Sequence, residues 1–520
     1  MKRYKKANEG IHAPEEAKEK AARPAGKPSR ARWMGAVAAL LAVVILGGVA
    51  LWPRQSNAPD PRSLNGPGSP ILNPTPGAVA RANALAAVVY PEMAPYPNET
   101  DYYSANGEWD WDSYNDAYHA WWESRTALRS GTDYTGMLDG FLSASTAQFL
   151  TNAGEDNRVY SPLNVYLALS MLAETTGGNS RQQILNLLQA DSIETLRARI
   201  SALWKDHYRD DGIVTSLLAN SLWLRDGMTY SQEVLDTLAR DYYAFSFSGE
   251  MGSEEYNQAL RSWINEQTGG LLREQAEGLE MDRATVLALA STIYFKAAWS
   301  DKFPEHLTQR DVFHAPTGDV ETDFMRQFME GTYYWGERFS AVQLHFKERG
   351  GSMWLILPDE GIGPDDLLTS GEAMDFLLAE KRGTWNEKTG KTEGGWEGQK
   401  DLTVNLSVPK FDVSSDLDLI GGLQELGVTD IFNGAVSNFD PLGASTDDPL
   451  YVSTAQHAAR VKVDEEGCEA AAYTVIMVDA AAAMPPEEEV DFVLDRPFLF
   501  AITGDSGLPL FTGVVNQPNG

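Results

Sequence analysis

From about residue 138 onward, apolar and polar positions recur with the periods of regular secondary structure. LDGFLSASTAQFLTN (138–152) has helical spacing, and YSPLNVYLALSMLAETTGGNSRQQILNLL (160–188) predicts an apolar helix, a break at Gly177-Gly178 and a second helix capped near Ser180. ATVLALASTIYFKAAW (284–299) and SMWLILPDEG (352–361) are continuous apolar runs, which are typical of buried strands.

Strand character dominates the C-terminal part of the chain. DLTVNLSVPKFDVSS (401–415), VDFVLDRPFLFAITG (490–504) and LPLFTGVVNQP (508–518) all predict strands, whereas the Gly- and Lys-rich stretch 381–400 predicts a surface hairpin or loop insertion. Because helices concentrate early and strands late, the pattern favours an α+β fold over an alternating α/β fold.

The stretch GCEAAAYTVIMVDAAAAMPPEEE (467–489) alternates with period two at its start. One side of the alternation is small or apolar from Cys468 to Val478, and both charges, Glu469 and Asp479, fall on the other side. This predicts a strand with one buried face. Its inward residues are unusually small, which suits a segment that slides between existing strands. The alanines at 480–483 and the two prolines after them are expected to be exposed to proteases.

The N-terminal 85 residues are predicted to anchor the chain in a membrane. Residues 33–52 carry no charge and have a tryptophan at each end, and the basic stretch 1–32 before them indicates a cytoplasmic tail. A cleaved signal peptide is the alternative. The long leader and the lack of a clear cleavage site favour an uncleaved anchor, with residues 53–85 as a flexible linker to an extracellular domain at 86–520. Residues 86–137 are an atypical N-terminal extension of this domain. Its aromatic-rich part, 88–125, either forms a ligand-binding surface or packs onto the domain, and packing is favoured.

Composition and charge limit the classes of partner and the cross-links that the chain is expected to have. The 520-residue chain has a net charge of −32, which repels phosphate backbones and excludes nucleic acid as an expected partner. Cys468 is the single cysteine, so no intrachain disulfide can form.

The tetrapeptide GDSG (504–507) resembles the nucleophile motif of chymotrypsin-like proteases. No matching histidine motif is visible, and only 13 residues follow Gly507, so a strand–turn–strand corner explains the same letters better. The sequence contains no G-x-S-x-G, H-E-x-x-H, P-loop or C-x-x-C motif. We therefore expect no enzyme activity, no cofactor and no metal site.

Several motifs resemble the serpin family, in family order over about 138–518. They are YSPLNVYLALSML, ANSLWLRDG, WINEQTGG, STIYFKAAWSDKF, SMWLILPDEG, SVPKFDVSSDLDL, LGVTDIFNGA, VKVDEEG and DRPFLFAITGDSGLPLFTGVVNQP. The resemblance implies a serpin fold, with a central mixed β-sheet, surrounding helices and a mobile, exposed reactive-centre loop. Residues 81–137 and 381–400 lie outside this match.

The resemblance also assigns roles to single residues. Lys410 and Trp299 match the breach, where the family's central sheet opens at its top, and Ser161 and His457 match the shutter, where its central strands part. Two shutter positions depart from the family pattern, because Asn164 stands where serine is common and Ser291 where asparagine is common. The hinge of the loop is matched by Glu465, Gly467, Cys468, Glu469, Ala470, Ala471 and Ala472.

The implied function is suicide-substrate inhibition of serine proteases. Family spacing from Glu465 places the cleaved bond after Ala481, and counting back from the prolines places it after Ala482, so the reactive bond lies within Ala481, Ala482 and Ala483. Small side chains there fit elastase-like or subtilisin-like enzymes and not trypsin. A monomer on a bacterial cell surface is expected.

Three alternatives stay open at this point. The chain is a non-inhibitory serpin that acts as a cell-surface binding protein, or a hydrolase that uses Ser506, or an inhibitor whose Cys468 places loop insertion under redox control.

Overall fold

Two large β-sheets with helices packed around them form the core of the protein. The computed structural model describes residues 84–518, except 87, 105, 135, 382–383, 387–390, 394, 444–449 and 469–487. The predicted α+β fold with a central mixed sheet is confirmed.

Many of the helices are preceded by a residue whose side chain caps the first turn. Ser161, Ser192, Ser231 and Ser253 each accept a hydrogen bond from a backbone N–H in the first helical turn. The helices are α1 (Trp111–Leu128), α2 (Asp139–Leu150), α3 (Pro162–Thr175), α4 (Gly178–Leu187), α5 (Ile193–His207), α6 (Gln232–Asp241), α7 (Glu254–Gln267), α8 (Arg273–Glu277), α9 (Pro364–Ser370), α10 (Glu372–Leu378) and α11 (Ile420–Glu425).

The cap of α4, predicted near Ser180, lies three residues earlier at Gly177. The helix begins at Gly178, after an extended Gly177. The Ser180 hydroxyl instead accepts a hydrogen bond from the distant Asn438 N–H at 3.0 Å, so its role is tertiary.

The strands vary from two to 18 residues in length. They are β1 (Ala84–Ala86), β2 (Arg158–Tyr160), β3 (Arg209–Asp210), β4 (Val214–Arg225), β5 (Ala244–Gly249), β6 (Leu287–Ala298), β7 (Gln309–Ala315), β8 (Gly318–Trp335), β9 (Phe339–His345), β10 (Ser352–Pro358), β11 (Thr384–Asn386), β12 (Lys391–Glu393), β13 (Gln399–Pro409), β14 (Phe411–Asp418), β15 (Gln456–Val463), β16 (Gly467–Cys468), β17 (Glu489–Val493), β18 (Phe498–Thr503) and β19 (Pro509–Val515).

The first sheet has the order β1-β5-β4-β6-β16-β15-β14, with β3 paired to β4 at one side. The β4–β5 pair is parallel and the other strand pairs of this sheet are antiparallel, which makes the sheet mixed. Strand β4 is buried along almost its whole length, so it lies on the molecule's core and not at its surface.

The second sheet has the order β17-β13-β8-β9-β10-β18-β19-β2. The strand character predicted for residues 401–415 is confirmed, and it is divided at Lys410, since β13 belongs to this sheet and β14 to the first one. The expected corner at 503–507 is present as the turn between β18 and β19. Strands β11 and β12 form a separate antiparallel hairpin, as predicted for the 381–400 insertion.

The aromatic-rich segment before α2 packs onto the domain at several points. Strand β1 extends the edge of the first sheet by pairing with β5. Tyr90 is buried against Trp204, and the buried Trp121 donates its indole N–H to Asp211 at 2.8 Å. Tyr103 and Trp111 remain exposed, so packing accounts for only part of the aromatic content.

The predicted membrane anchor at 33–52 lies outside the described residues. Within the described part of the chain, no helix has both the length and the apolar character needed to cross a bilayer.

Candidate functional site

Within the described residues, strands β6 and β15 have facing edges that are bridged by another strand only at one end, and we call the region between these edges the slot. Residues 287–297 of β6 pair with β4 on one edge, but only Ala297 and Ala298 pair with β16 on the other. Strand β15 pairs with β14 along its whole length and with β16 only through Val463. Among the described residues, the two-residue β16 is therefore the single strand between β6 and β15. Facing strand edges of this kind are a template for an added strand.

The hinge enters this slot at Gly467 and Cys468. A β-carbon at Gly467 would lie 2.2 Å from the Ala297 carbonyl oxygen, so the close approach of the two backbones requires glycine. Cys468 is buried, with 3% of its surface exposed. The hinge residues Glu469, Ala470, Ala471 and Ala472 and the reactive-bond residues Ala481, Ala482 and Ala483 lie outside the described residues.

An ion pair closes the top of the slot. Lys410 Nζ lies 2.7 Å from Glu465 Oε1, and the Thr308 hydroxyl donates to the same oxygen at 2.8 Å. Burial alone would raise the pKa of Glu465, but the hydrogen bonds from Lys410 and Thr308 outweigh it and lower the pKa. The Glu465 carboxylate is therefore charged at neutral pH. The sequence carried no signal for Thr308.

Trp299 fixes the hinge at the same end. Its ring is buried and stacks on Phe346 at a centroid distance of 4.8 Å, while its indole N–H donates to the Asp464 carbonyl at 2.9 Å. Its backbone N–H donates to the Glu466 carbonyl at 3.0 Å. Trp299 thus holds the two residues on either side of Glu465 in place.

The residues assigned to the shutter meet near the middle of the slot. The Ser161 backbone N–H donates to His457 Nε2 at 3.0 Å, and the Ser161 hydroxyl donates to the Leu510 carbonyl at 2.6 Å. Burial lowers the pKa of His457 to about 4, so the imidazole is neutral at pH 7. Because Nε2 accepts a hydrogen bond, the ring proton is on Nδ1.

Asn164 and Ser291, the two shutter residues that depart from the family pattern, contact one another. Relative to that pattern, the asparagine and the serine have exchanged places within one contact. Asn164 Nδ2 donates to the Ser291 carbonyl at 2.9 Å. The Ser291 hydroxyl lies against the Asn164 side-chain oxygen and 2.8 Å from Asn220 Oδ1. The contact joins α3 to β6 and β4. A cavity of about 10 Å³ beside the contact is lined by residues of both β6 and β15.

Ser506 contacts a histidine that the sequence did not single out. Its hydroxyl lies 2.7 Å from His207 Nε2, and His207 Nδ1 lies 2.8 Å from the Leu203 carbonyl. Nδ1 therefore carries the proton, and a carbonyl oxygen holds the position that a carboxylate has in a catalytic triad. The two residues are 299 positions apart, which no local motif could relate.

Comparison with known proteins identifies relatives of this arrangement. A family model described as Serpin (serine protease inhibitor) matches residues 141–518. A leukocyte elastase inhibitor of Sus scrofa is 30% identical over 369 residues, which cover 70% of this chain and 93% of that protein. Serpin-Z10 of Arabidopsis thaliana is 28% identical, with 71% and 94% covered. The native-state crystal structure of tengpin, a thermophilic serpin, matches with a TM-score of 0.64 and 25% identity over 75% of this chain and 96% of that one.

Proposed function

The chain belongs to the serpin family, and from this premise we propose that it is a suicide-substrate inhibitor of serine proteases. A protease attacks the exposed loop and forms an acyl-enzyme. The cleaved loop then inserts into the first sheet as a new strand, and the attached protease is deformed before water releases it.

The slot between β6 and β15 is the observation that carries this proposal. Insertion of about ten residues adds on the order of ten backbone hydrogen bonds, each worth roughly 1 kcal/mol net. Burial of Ile476 and Val478 adds roughly 1.5–3 kcal/mol each. No proline or charged residue occupies the inward positions from Cys468 to Val478, so no side chain of that set opposes insertion.

The target class follows from the bond that the loop offers. Alanine at 481 and 482 suits the shallow pocket of elastase-like or subtilisin-like enzymes, whereas trypsin requires lysine or arginine. The similarity to a protein named leukocyte elastase inhibitor supports an elastase-like target.

The test is incubation of the protein with an elastase and, separately, with trypsin. We expect a complex with elastase that survives denaturing electrophoresis, no complex with trypsin, and mass spectrometry that places the cut at 481–483. Replacing Ala481→Arg and Ala482→Arg together should exchange the two results. Cleavage by elastase without a complex would refute inhibition and favour the alternative, a non-inhibitory serpin that acts as a surface binding protein.

We further propose that residues 33–52 anchor the protein in a bacterial membrane with its serpin domain outside, on the support of the uncharged segment and the basic tail before it. The leukocyte elastase inhibitor and Serpin-Z10 named above are an animal and a plant protein, so the bacterial source rests on the anchor and the single cysteine alone. Digestion of intact cells by an added protease should remove the domain. Protection of the domain until the cells are lysed would refute this topology.

A hydrolase that uses Ser506 is the remaining alternative, and the Ser506–His207 contact is the observation in its favour. Ser506→Ala should leave elastase inhibition unchanged. If the intact protein hydrolyses an ester substrate and Ser506→Ala abolishes this activity, the alternative gains direct support.

A further inference from the structure

A small cavity of about 30 Å³ lies where the N-terminal segment meets the body of the domain. Helix α1 contributes Arg125, the β3–β4 region contributes Arg209 and Ser216, and the β18–β19 turn contributes Asp505. The volume is enough for one or two water-sized groups. The cavity lies outside the slot and the hinge.

Two residues that line this cavity each carry a buried hydrogen-bond donor that has no partner in the described structure. Arg209 is 6% exposed; its Nε donates to Asp211 and its Nη1 to the Glu348 carbonyl, but its Nη2 is unpaired. Ser216 is 5% exposed and its hydroxyl is unpaired. Buried polar groups of this kind cost stability unless something fills the site and accepts their hydrogen bonds.

Positive charge exceeds negative charge around the cavity. Five cationic side chains line it against two carboxylates, and Asp211 adds a third carboxylate through Arg209. A single carboxylate, Asp505, forms ion pairs with both Arg125 and Arg129. Burial, together with repulsion from Arg209 and Arg129, lowers the pKa of Arg125 to about 10. The cavity is thus a cationic site in a chain of net charge −32.

The backbone beside the cavity is strained in a way that serves the two buried arginines. Glu348 and Arg349 have φ angles of 49° and 53°, a left-handed conformation that is costly for residues other than glycine. The turn points the Glu348 carbonyl at Arg209 (2.9 Å) and the Arg349 carbonyl at Arg125 (3.1 Å). These contacts hold both guanidinium groups at the cavity wall.

We propose that this cavity binds a small monovalent anion of about the size of chloride, which accepts hydrogen bonds from Arg209 Nη2 and the Ser216 hydroxyl. The anion satisfies both donors and neutralises part of the excess charge. Because the surrounding groups belong to α1, β4 and the β18–β19 turn, the bound anion stabilises the docking of the N-terminal segment onto the domain.

The test is the melting temperature of the intact, full-length protein in sodium chloride and in sodium gluconate at equal ionic strength. Gluconate is too large for the cavity. We expect a saturable rise in chloride, of about 2 °C when chloride is tenfold above its Kd. Equal melting temperatures in the two salts would overturn the proposal, since water alone would then fill the cavity.

Two serine variants give a matched comparison. Ser216→Ala should lose most of the chloride-specific rise, yet melt no lower than the wild type in gluconate, because its hydroxyl has no protein partner. Ser246→Ala removes a hydroxyl that is equally buried and unpaired in the same sheet, but away from the cavity, and should keep the full rise. Retention of the full rise by Ser216→Ala would overturn the proposal. Arg209→Gln should also abolish the rise if it folds.

Discussion

The buried His457 should make the folded protein less stable as the pH falls from 7 to 5. The imidazole is buried, and burial lowers its pKa from 6.5 to about 4. The unfolded chain therefore binds a proton in this range that the folded chain does not. The contribution of His457 to stability is complete above pH 6.5 and is lost as the pH falls toward 4.

The size of the effect follows from the two pKa values. The full shift, at 1.36 kcal/mol per pKa unit, corresponds to about 3 kcal/mol, and the part lost between pH 7 and pH 5 is about 2 kcal/mol. The folded protein keeps His457 neutral at pH 5, so Nε2 still accepts the hydrogen bond of the Ser161 N–H there, whereas an imidazolium, whose two ring nitrogens are both donors, would not. The loss therefore comes from protonation of the unfolded chain.

The assay is urea unfolding of the intact protein at pH 7 and pH 5, followed by tryptophan fluorescence. His457→Gln keeps an oxygen that can accept the Ser161 N–H but cannot titrate, so we expect it to lose about 2 kcal/mol less than the wild type between the two pH values. Other titrating groups are common to both proteins and cancel in the comparison.

His314→Gln is the matched control, because His314 is exposed and pairs with Asp319, which raises its pKa. Its stabilising effect is present at low pH, so its removal should leave the acid loss unchanged or slightly larger. Equal acid losses in the wild type and His457→Gln would refute the reasoning and show that His457 is not held neutral by burial.

Three further predictions concern the hinge, the shutter and the N-terminal segment. Gly467→Ala should displace β16 from β6 at a cost of about 1–3 kcal/mol, so a thiol reagent should modify Cys468 about tenfold faster. The control is Gly421→Ala, whose added β-carbon meets no atom and should not change the rate. An unreactive Cys468 in Gly467→Ala would contradict the close approach of β16 to β6. Asn164→Ser and Ser291→Asn should each lower the free energy of unfolding in urea by about 1–3 kcal/mol, and the double variant should lose less than the sum of the two. Strictly additive losses would mean that the two side chains do not interact. Tyr90→Ala should lower the free energy of unfolding by about 3 kcal/mol, because the Tyr90 ring packs on three aromatic residues. Tyr90→Phe should not lower it, since the hydroxyl is buried without a partner. Similar losses in both variants would show that the hydroxyl, and not the ring, stabilises the protein.

Much of the fold was predictable because the period of apolar residues reports which face of a single element is buried. The helices at 139–150 and 162–175 follow from that period, and the strands at 287–298 and 352–358 follow from continuous apolar runs. The serpin family itself was recognisable from motifs that are short and contiguous. The boundary at Lys410 could not be located from the sequence, because β13 and β14 are equally strand-like and differ only in the sheet that each one joins.

The sequence by itself determined the elements, the family and the small residues of the hinge. Only the tertiary structure decided which side chains meet: Asn164 with Ser291, Ser506 with His207, and the arginines around the cavity. Hydrophobic periodicity is a local property, because it depends on residues within one or two turns of each other. A hydrogen bond across 299 positions depends on how whole sheets and helices pack, and packing leaves no mark on the local pattern of either partner.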